Sequence, residues 1–176
     1  MAKLEILTAP DPRLKITAEP VGCVDDEVRR LMDDMLETMY AAPGIGLAAP
    51  QVGVAKRVLV LDVARRNEDP APLRVANPEI VWASDETVAA EEGCLSVPDH
   101  YADVERPAQV RVRFLDYENE IREIDADGTL ATCLQHEMDH LDGTLFIDHL
   151  SLLKRNIILR KLRKAKKSGS EPVPAR

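Results

Sequence analysis

The sequence predicts an α+β fold in which mainly antiparallel strands surround a central helix, with one helix before them and a strongly basic helix after them. Apolar residues recur at three- and four-residue spacing in three separate segments. The strand-like runs are grouped between the first and second of these segments. Helices at the ends of a block of strands mark an α+β rather than a βαβ architecture.

The first helix is expected over residues 25–42, where Val28, Leu31, Met32, Met35, Leu36 and Met39 form one apolar face. Asp25 or Asp26 supplies its N-cap, and Pro43-Gly44 its stop. A glycine-containing loop follows. Strands are then expected at Arg57–Val63, Leu73–Trp82, Thr87–Glu92 and Gln109–Tyr117. The last alternates Val110, Val112 and Phe114 with Arg111 and Arg113, the period of a half-buried strand. Glu118-Asn119-Glu120 reads as a hairpin turn into Ile121–Ile124, while Asp99–Asp103 reads as a loop. The central helix should begin near Asp127–Thr129 and end at Gly143. The third should begin after Asp148 or Ser151 and run to about Lys167, with Leu153, Ile157, Ile158 and Leu162 on its packed side.

At 176 residues the chain has the length of one domain, on a prior of about 100–200 residues. Apolar residues make up 45%, too many for disorder, and with only six aromatics the core must be aliphatic. The net charge of −8 is unevenly spread: residues 154–176 carry +8 and residues 1–153 carry −16. An acidic body does not bind DNA, because phosphate contact needs a basic surface, and the tail alone could supply one. No apolar run approaches the roughly 18 residues of a membrane span. Charges interrupt MAKLEILTAPDPRLK where a signal peptide would be apolar. These features predict a cytoplasmic protein, in which Cys23, Cys94 and Cys133 stay reduced.

The most specific chemical signal is His136-Glu137-Met138-Asp139-His140. Histidines four apart share a helix face and can reach one metal ion, while the intervening glutamate leans toward water on that ion. The flanking Leu130, Cys133, Leu134, Met138 and Leu141 make this helix interior, where unpaired ionisable groups are costly. A third ligand is needed. In metalloproteases where a glycine and a third histidine follow this pattern, that histidine would fall at Phe146. His100 and His149 are free, but Cys94, after a strand-like run and beside Gly93, is the stronger candidate. An ordinary buried cysteine would look the same. Three protein ligands would leave a coordination position for water, as in catalytic sites.

Three motifs in order, Gly44-Ile45-Gly46-Leu47-Ala48-Ala49-Pro50-Gln51, Glu92-Gly93-Cys94-Leu95-Ser96 and Gln135-His136-Glu137-Met138-Asp139-His140, resemble those of the peptide deformylases. The likeness extends through Asp11-Pro12-Arg13-Leu14, Asn77-Pro78 and Asp142-Gly143, and covers the chain to about Leu150. One deformylase-like catalytic domain is expected over residues 1–167, including the helix 151–167, and the closing SGSEPVPAR, residues 168–176, reads as a disordered tail. The resemblance implies Cys94, His136 and His140 as ligands of one divalent ion, natively Fe2+ with Zn2+ or Ni2+ as substitutes, and Glu137 as acid/base. It further implies hydrolysis of the formyl group from formylmethionyl nascent peptides. The Gln51 amide and Leu95 N–H would stabilise the oxyanion. Ile45 and Gly46 would lie along the substrate, and Ile45, Cys133 and Leu134 would line the methionine pocket.

Glu92 and Arg106 are expected to pair, either as an exposed ion pair or as a brace for the Cys94 loop. Tyr101 stands where many relatives carry arginine. Two rivals compete with this reading. A peptidase cutting internal bonds is opposed by Cys94 in EGCLS and the absent third histidine. An inactive ribosome-binding relative is opposed by intact Glu137, Gln51 and the three ligands. With a nascent-chain substrate, the basic run Lys154–Lys167 becomes a candidate ribosome-docking helix.

Overall fold

The computed structural model describes residues 2–169. Helix α1 spans Asp26–Ala41, and the Asp25 carboxylate caps it by accepting the Val28 N–H at 2.9 Å. Seven strands follow: β1 (Gly46–Ala48), β2 (Val58–Leu61), β3 (Leu73–Ala83), β4 (Thr87–Cys94), β5 (Val97–Pro107), β6 (Gln109–Leu115) and β7 (Ile121–Asp127). Helix α2 then spans Gly128–Leu141 and α3 spans Leu152–Lys167.

All pairings among these strands are antiparallel, as the sequence predicts. One sheet has the order β1-β2-β3-β6-β7, and β4 pairs with β5 in a separate hairpin. Strand β2, Val58-Leu59-Val60-Leu61, is buried on both faces. Val58 and Val60 meet the apolar stripe of α1, while Leu59 and Leu61 meet α2. Its uninterrupted aliphatic run is what a doubly covered strand requires. Strand β6 shows the alternation expected of it: Val110, Val112 and Phe114 face inward, and Arg111 and Arg113 pair outward with Asp125 and Glu123 of β7.

Two segments differ from expectation. Gly46–Ala48 is a strand rather than part of a loop, and the presumed loop Asp99–Asp103 lies inside the eleven-residue β5. Three residues are too few for periodicity to register. Pro98 and Asp99, the latter at φ +65°, sit in the irregularity between the Cys94↔Val97 and Gly93↔Tyr101 pairs, so turn chemistry lies inside a strand whose ladder continues on both sides.

Helix α3 also differs. Leu159 and Leu162 are buried against Leu7, Leu14 and Phe146, with Ile158 partly covered. Leu153 and Ile157, expected on the packed side, are 71% and 46% exposed. The helix is therefore anchored by its middle, and the apolar side chains of its first turn, Leu152 and Leu153, are exposed. Ser168 and Gly169 close α3 in a turn; the rest of the expected tail lies outside the described residues.

Gly143 ends α2 at φ +73°, and a Cβ there would lie 2.5 Å from the Lys15 carbonyl oxygen. Both the left-handed conformation and the contact with rigid backbone require glycine. Gly143→Ala should lower stability by about 1–3 kcal/mol, read as a lower urea midpoint at unchanged m.

Candidate metal centre and cleft

Helix α2 passes between the five-stranded sheet and the β4–β5 hairpin. Its apolar side, Ala131, Leu134, Met138 and Leu141, packs on the sheet. Its opposite side carries His136 and His140 toward the hairpin tip, where Cys94 ends β4. Cys94 pairs with Val97, so only Leu95 and Ser96 make the turn, and the register shifts at Gly93/Cys94. That irregularity aims the thiol at the helix. The Cys94 Sγ lies 3.3 Å from His140 Nε2, and the ligand atoms of Cys94, His136 and His140 all fall within 4.8 Å of one another.

A thiolate and two imidazoles around one point suit a divalent transition ion held about 2.0–2.3 Å from each donor. The orientation of His136 fits the same role. Its Nδ1 bonds the Glu92 carboxylate at 2.8 Å, which leaves Nε2 for an ion. Glu92 is held below the usual carboxylate range: burial opposes its charge, but the His136 and Arg106 bonds prevail. His140 is driven well below its ordinary value, first by burial and then by the charge of His136. At His140, burial thus favours the neutral imidazole that ligation needs. Among the described residues no second cluster of this kind is found.

Arg106 completes the support. Its Nε and Nη2 donate to the two Glu92 oxygens at 2.6 and 2.9 Å, and Nη1 donates to Asp139 at 2.8 Å. The Arg106 and Glu92 side chains are only 6% and 4% exposed. The exposed ion pair entertained from sequence is therefore replaced by a buried, bidentate one that ties the hairpin to α2.

A cleft of about 880 Å³ opens over this centre. Glu137 lines it from α2 at 4% exposure, and its Oε2 finds no hydrogen-bond partner among the described residues. Burial pushes its carboxyl up to about 7, against the charge of His136. A group near that value exchanges protons efficiently at neutral pH. Gln51 is oriented by a specific bond: its Oε1 accepts the Ala48 N–H at 2.8 Å. Its Nε2 consequently points inward, donating to Ser96 Oγ at 3.0 Å and approaching Cys94 Sγ at 3.5 Å. The Leu95 backbone stands beside Cys94 in the turn, and its side chain covers Gly44.

The remaining expected residues are partly assembled. Gly46 has no room for a side chain, since a Cβ would overlap the Glu137 carboxylate. Ile45 sits on the cleft rim at 51% exposure, and the Cys133 thiol donates to its carbonyl at 3.7 Å. Burial raises the Cys133 thiol well above its ordinary value, so it serves as an apolar wall. Leu134 does not line the cleft; it is fully buried between α2 and the sheet. One residue on from Cys133 along a helix points about 100° away, which explains the difference. His100 lies in β5 at the mouth of the cleft, and His149 bonds Asp139, so neither joins the ligand group. Ser96 and Asp139 had no assigned role, though both stand inside the quoted motifs.

The family model for polypeptide deformylase matches residues 3–156. A peptide deformylase of Phenylobacterium zucineum is 61% identical over 96% of this chain and all of its own length. One of Rhizobium meliloti is 54% identical over 93% of this chain and 94% of its own. The crystal structure of peptide deformylase from Ehrlichia chaffeensis superposes with a TM-score of 0.91 at 45% identity, covering 95% of this chain and 98% of that one. A complex of the Ehrlichia chaffeensis enzyme with actinonin gives a TM-score of 0.90 at 46% identity, over 97% and 100%.

Breaking the buried pair strands a carboxylate beside the candidate ligand His136. Arg106→Ala should cost about 3–5 kcal/mol and lower the metal content of the purified protein. Denaturant titration and metal analysis by mass spectrometry check the two effects separately.

Proposed function

The chain belongs to the polypeptide deformylase family, a family of hydrolases, and from that premise we propose that it removes the N-formyl group from formylmethionyl nascent peptides, releasing formate. The observation that carries this reading is the convergence of Cys94, His136 and His140, with Glu137 beside them, at the floor of one cleft.

In this reading Cys94, His136 and His140 hold the ion, natively Fe2+ with Zn2+ or Ni2+ able to replace it. When bound, it supplies Lewis acidity and lowers the pKa of water in its open position. The Glu137 carboxylate takes a proton from the attacking water as that oxygen bonds the formyl carbon. Gln51 Nε2–H and the Leu95 N–H donate to the oxyanion that develops. The Glu137 proton then passes to the amide nitrogen as the C–N bond breaks, giving formate and a free amino terminus.

Substrate placement follows from the two walls. Strand β1 is the last in its sheet and β4 pairs only with β5, so both offer a free edge. An extended peptide fits between them, with Ile45 and Gly46 aligned along its backbone and the methionine side chain in the Ile45–Cys133 pocket.

Helix α3 supports a second role. Eight basic residues lie within residues 154–167, and Leu152 and Leu153 of its first turn are exposed beside them. Docking of this helix on ribosomal RNA would hold the acidic body near emerging chains in the cytoplasm. No described helix is long and apolar enough to cross a membrane.

Formyl-Met-Ala-Ser should release formate, whereas its acetylated and free-amine forms should not react, and a chelator should abolish the activity. Cleavage inside the peptide would instead reveal an endopeptidase. Gln51→Ala should lower kcat by about 10²–10³-fold, roughly 2.7–4 kcal/mol, and Glu137→Ala by more, with metal retained. For docking, co-sedimentation with ribosomes should weaken steeply as salt rises. The triple change of Lys154, Lys161 and Lys164 to Glu should abolish it while the protein stays folded. Undiminished binding by that variant would overturn the docking role.

A further inference from the structure

His149 was one of two histidines left over from the sequence, and the structure joins it to the metal centre by an unbroken line of side chains. Its Nε2 bonds Asp139 Oδ2 at 2.8 Å. The same oxygen accepts Arg106 Nη1–H at 2.8 Å. Arg106 grips both oxygens of Glu92, and Glu92 Oε1 bonds His136 Nδ1 at 2.8 Å. From His149, 37% exposed, to His136, 9% exposed, each link is a charge-assisted or hydrogen-bonded contact.

We propose that His149 is a positioning residue for the metal centre, holding Asp139 in the rotamer that fixes Arg106, Glu92 and, at the inner end, the imidazole of His136. The inference rests on the reading of Cys94, His136 and His140 as the ligand set.

Asp139 is where the line can fail. It lies between two site residues on α2, yet its carboxylate turns outward and is 26% exposed. A short side chain with that much solvent has other rotamers open to it. Arg106 holds it from the buried side only. His149 holds it from the other side, and His149 is anchored independently. The preceding Asp148 bonds Lys15 and Arg155 and accepts the Leu145 N–H, while the Leu150 N–H returns to the Ile147 carbonyl. The contact therefore bridges two fixed pieces of backbone, the end of α2 and the turn that leads into α3.

Partners one or more bonds removed from a metal set ligand orientation, and their loss is felt as weaker retention of the ion rather than as unfolding. The test loads the full-length protein with Co2+ and follows its thiolate and ligand-field bands during challenge with excess chelator. His149→Ala should release cobalt about 3–10-fold faster than the parent, and Asp139→Asn about 10–100-fold faster. His149→Gln, which keeps a donor of similar reach, should restore the parent rate, with the melting temperature of the metal-free protein nearly constant across the series.

Release from His149→Ala at the parent rate would overturn the proposal, as would a melting temperature that falls without any change in release. Cys94→Ser, measured in parallel, tests the ligand set itself. Cobalt bands unaltered by that change would overturn the metal centre and the relay together, whereas bands lost in Cys94→Ser with parent-like release from His149→Ala would overturn the relay alone.

Discussion

Everything at the centre depends on a carboxylate and a guanidinium buried together. Glu92 belongs to the two-stranded hairpin, and His136 and Asp139 belong to the helix that packs on the other sheet. Arg106 bonds both Glu92 and Asp139. Hairpin and helix share few apolar contacts near the cleft, because the cleft occupies that space. Their relative placement is held there by this ion pair together with the Gln135 Nε2–H bond to the Pro107 carbonyl, and placement sets how far Cys94 stands from the two histidines. Desolvating such a pair is expensive, and a hydrophobic pair of equal volume would often be as stable. What a hydrophobic pair could not do is hold the Nδ1 of a neighbouring imidazole and so decide which nitrogen faces the cleft.

A second division of labour runs through α2. One side, centred on Leu134, belongs to the core and the other to the site, and the two alternate along a single helix. Burial that stabilises the fold also raises the Glu137 carboxyl to about 7. In the proposed role of acid/base, that value suits Glu137 to neutral pH.

The fold was legible where side-chain periodicity is strong. The methionine-rich face of α1, the alternation of Val110, Val112 and Phe114, and the doubly apolar run of β2 each declared their partners. The His136–His140 spacing and the Cys94 motif point to one place, and the structure brings their donor atoms within 4.8 Å of one another. Other features were not legible, because they belong to tertiary context rather than to local pattern. Strand β1 is too short to have a period, and in β5 the turn-forming Pro98 and Asp99 occupy an irregularity between paired residues, which local pattern does not distinguish from a loop. Leu153 and Leu159 are equally apolar, and nothing local says which of them meets Phe146. Nor could spacing show that Asp139 would turn away from the site and meet Arg106 and His149.

The free edges of β1 and β4 have a consequence of their own. Open edges usually invite further strands and so promote aggregation. Here residues of β1 and β4 line one cleft, with Glu137 below and Ile45 at the rim, and the proposed extended peptide would occupy it. A chain terminus already folded into a helix or docked on its own domain lacks that free length. Geometry thereby becomes timing: on the proposed placement, such an enzyme would act within the interval between the emergence of an amino terminus and its burial.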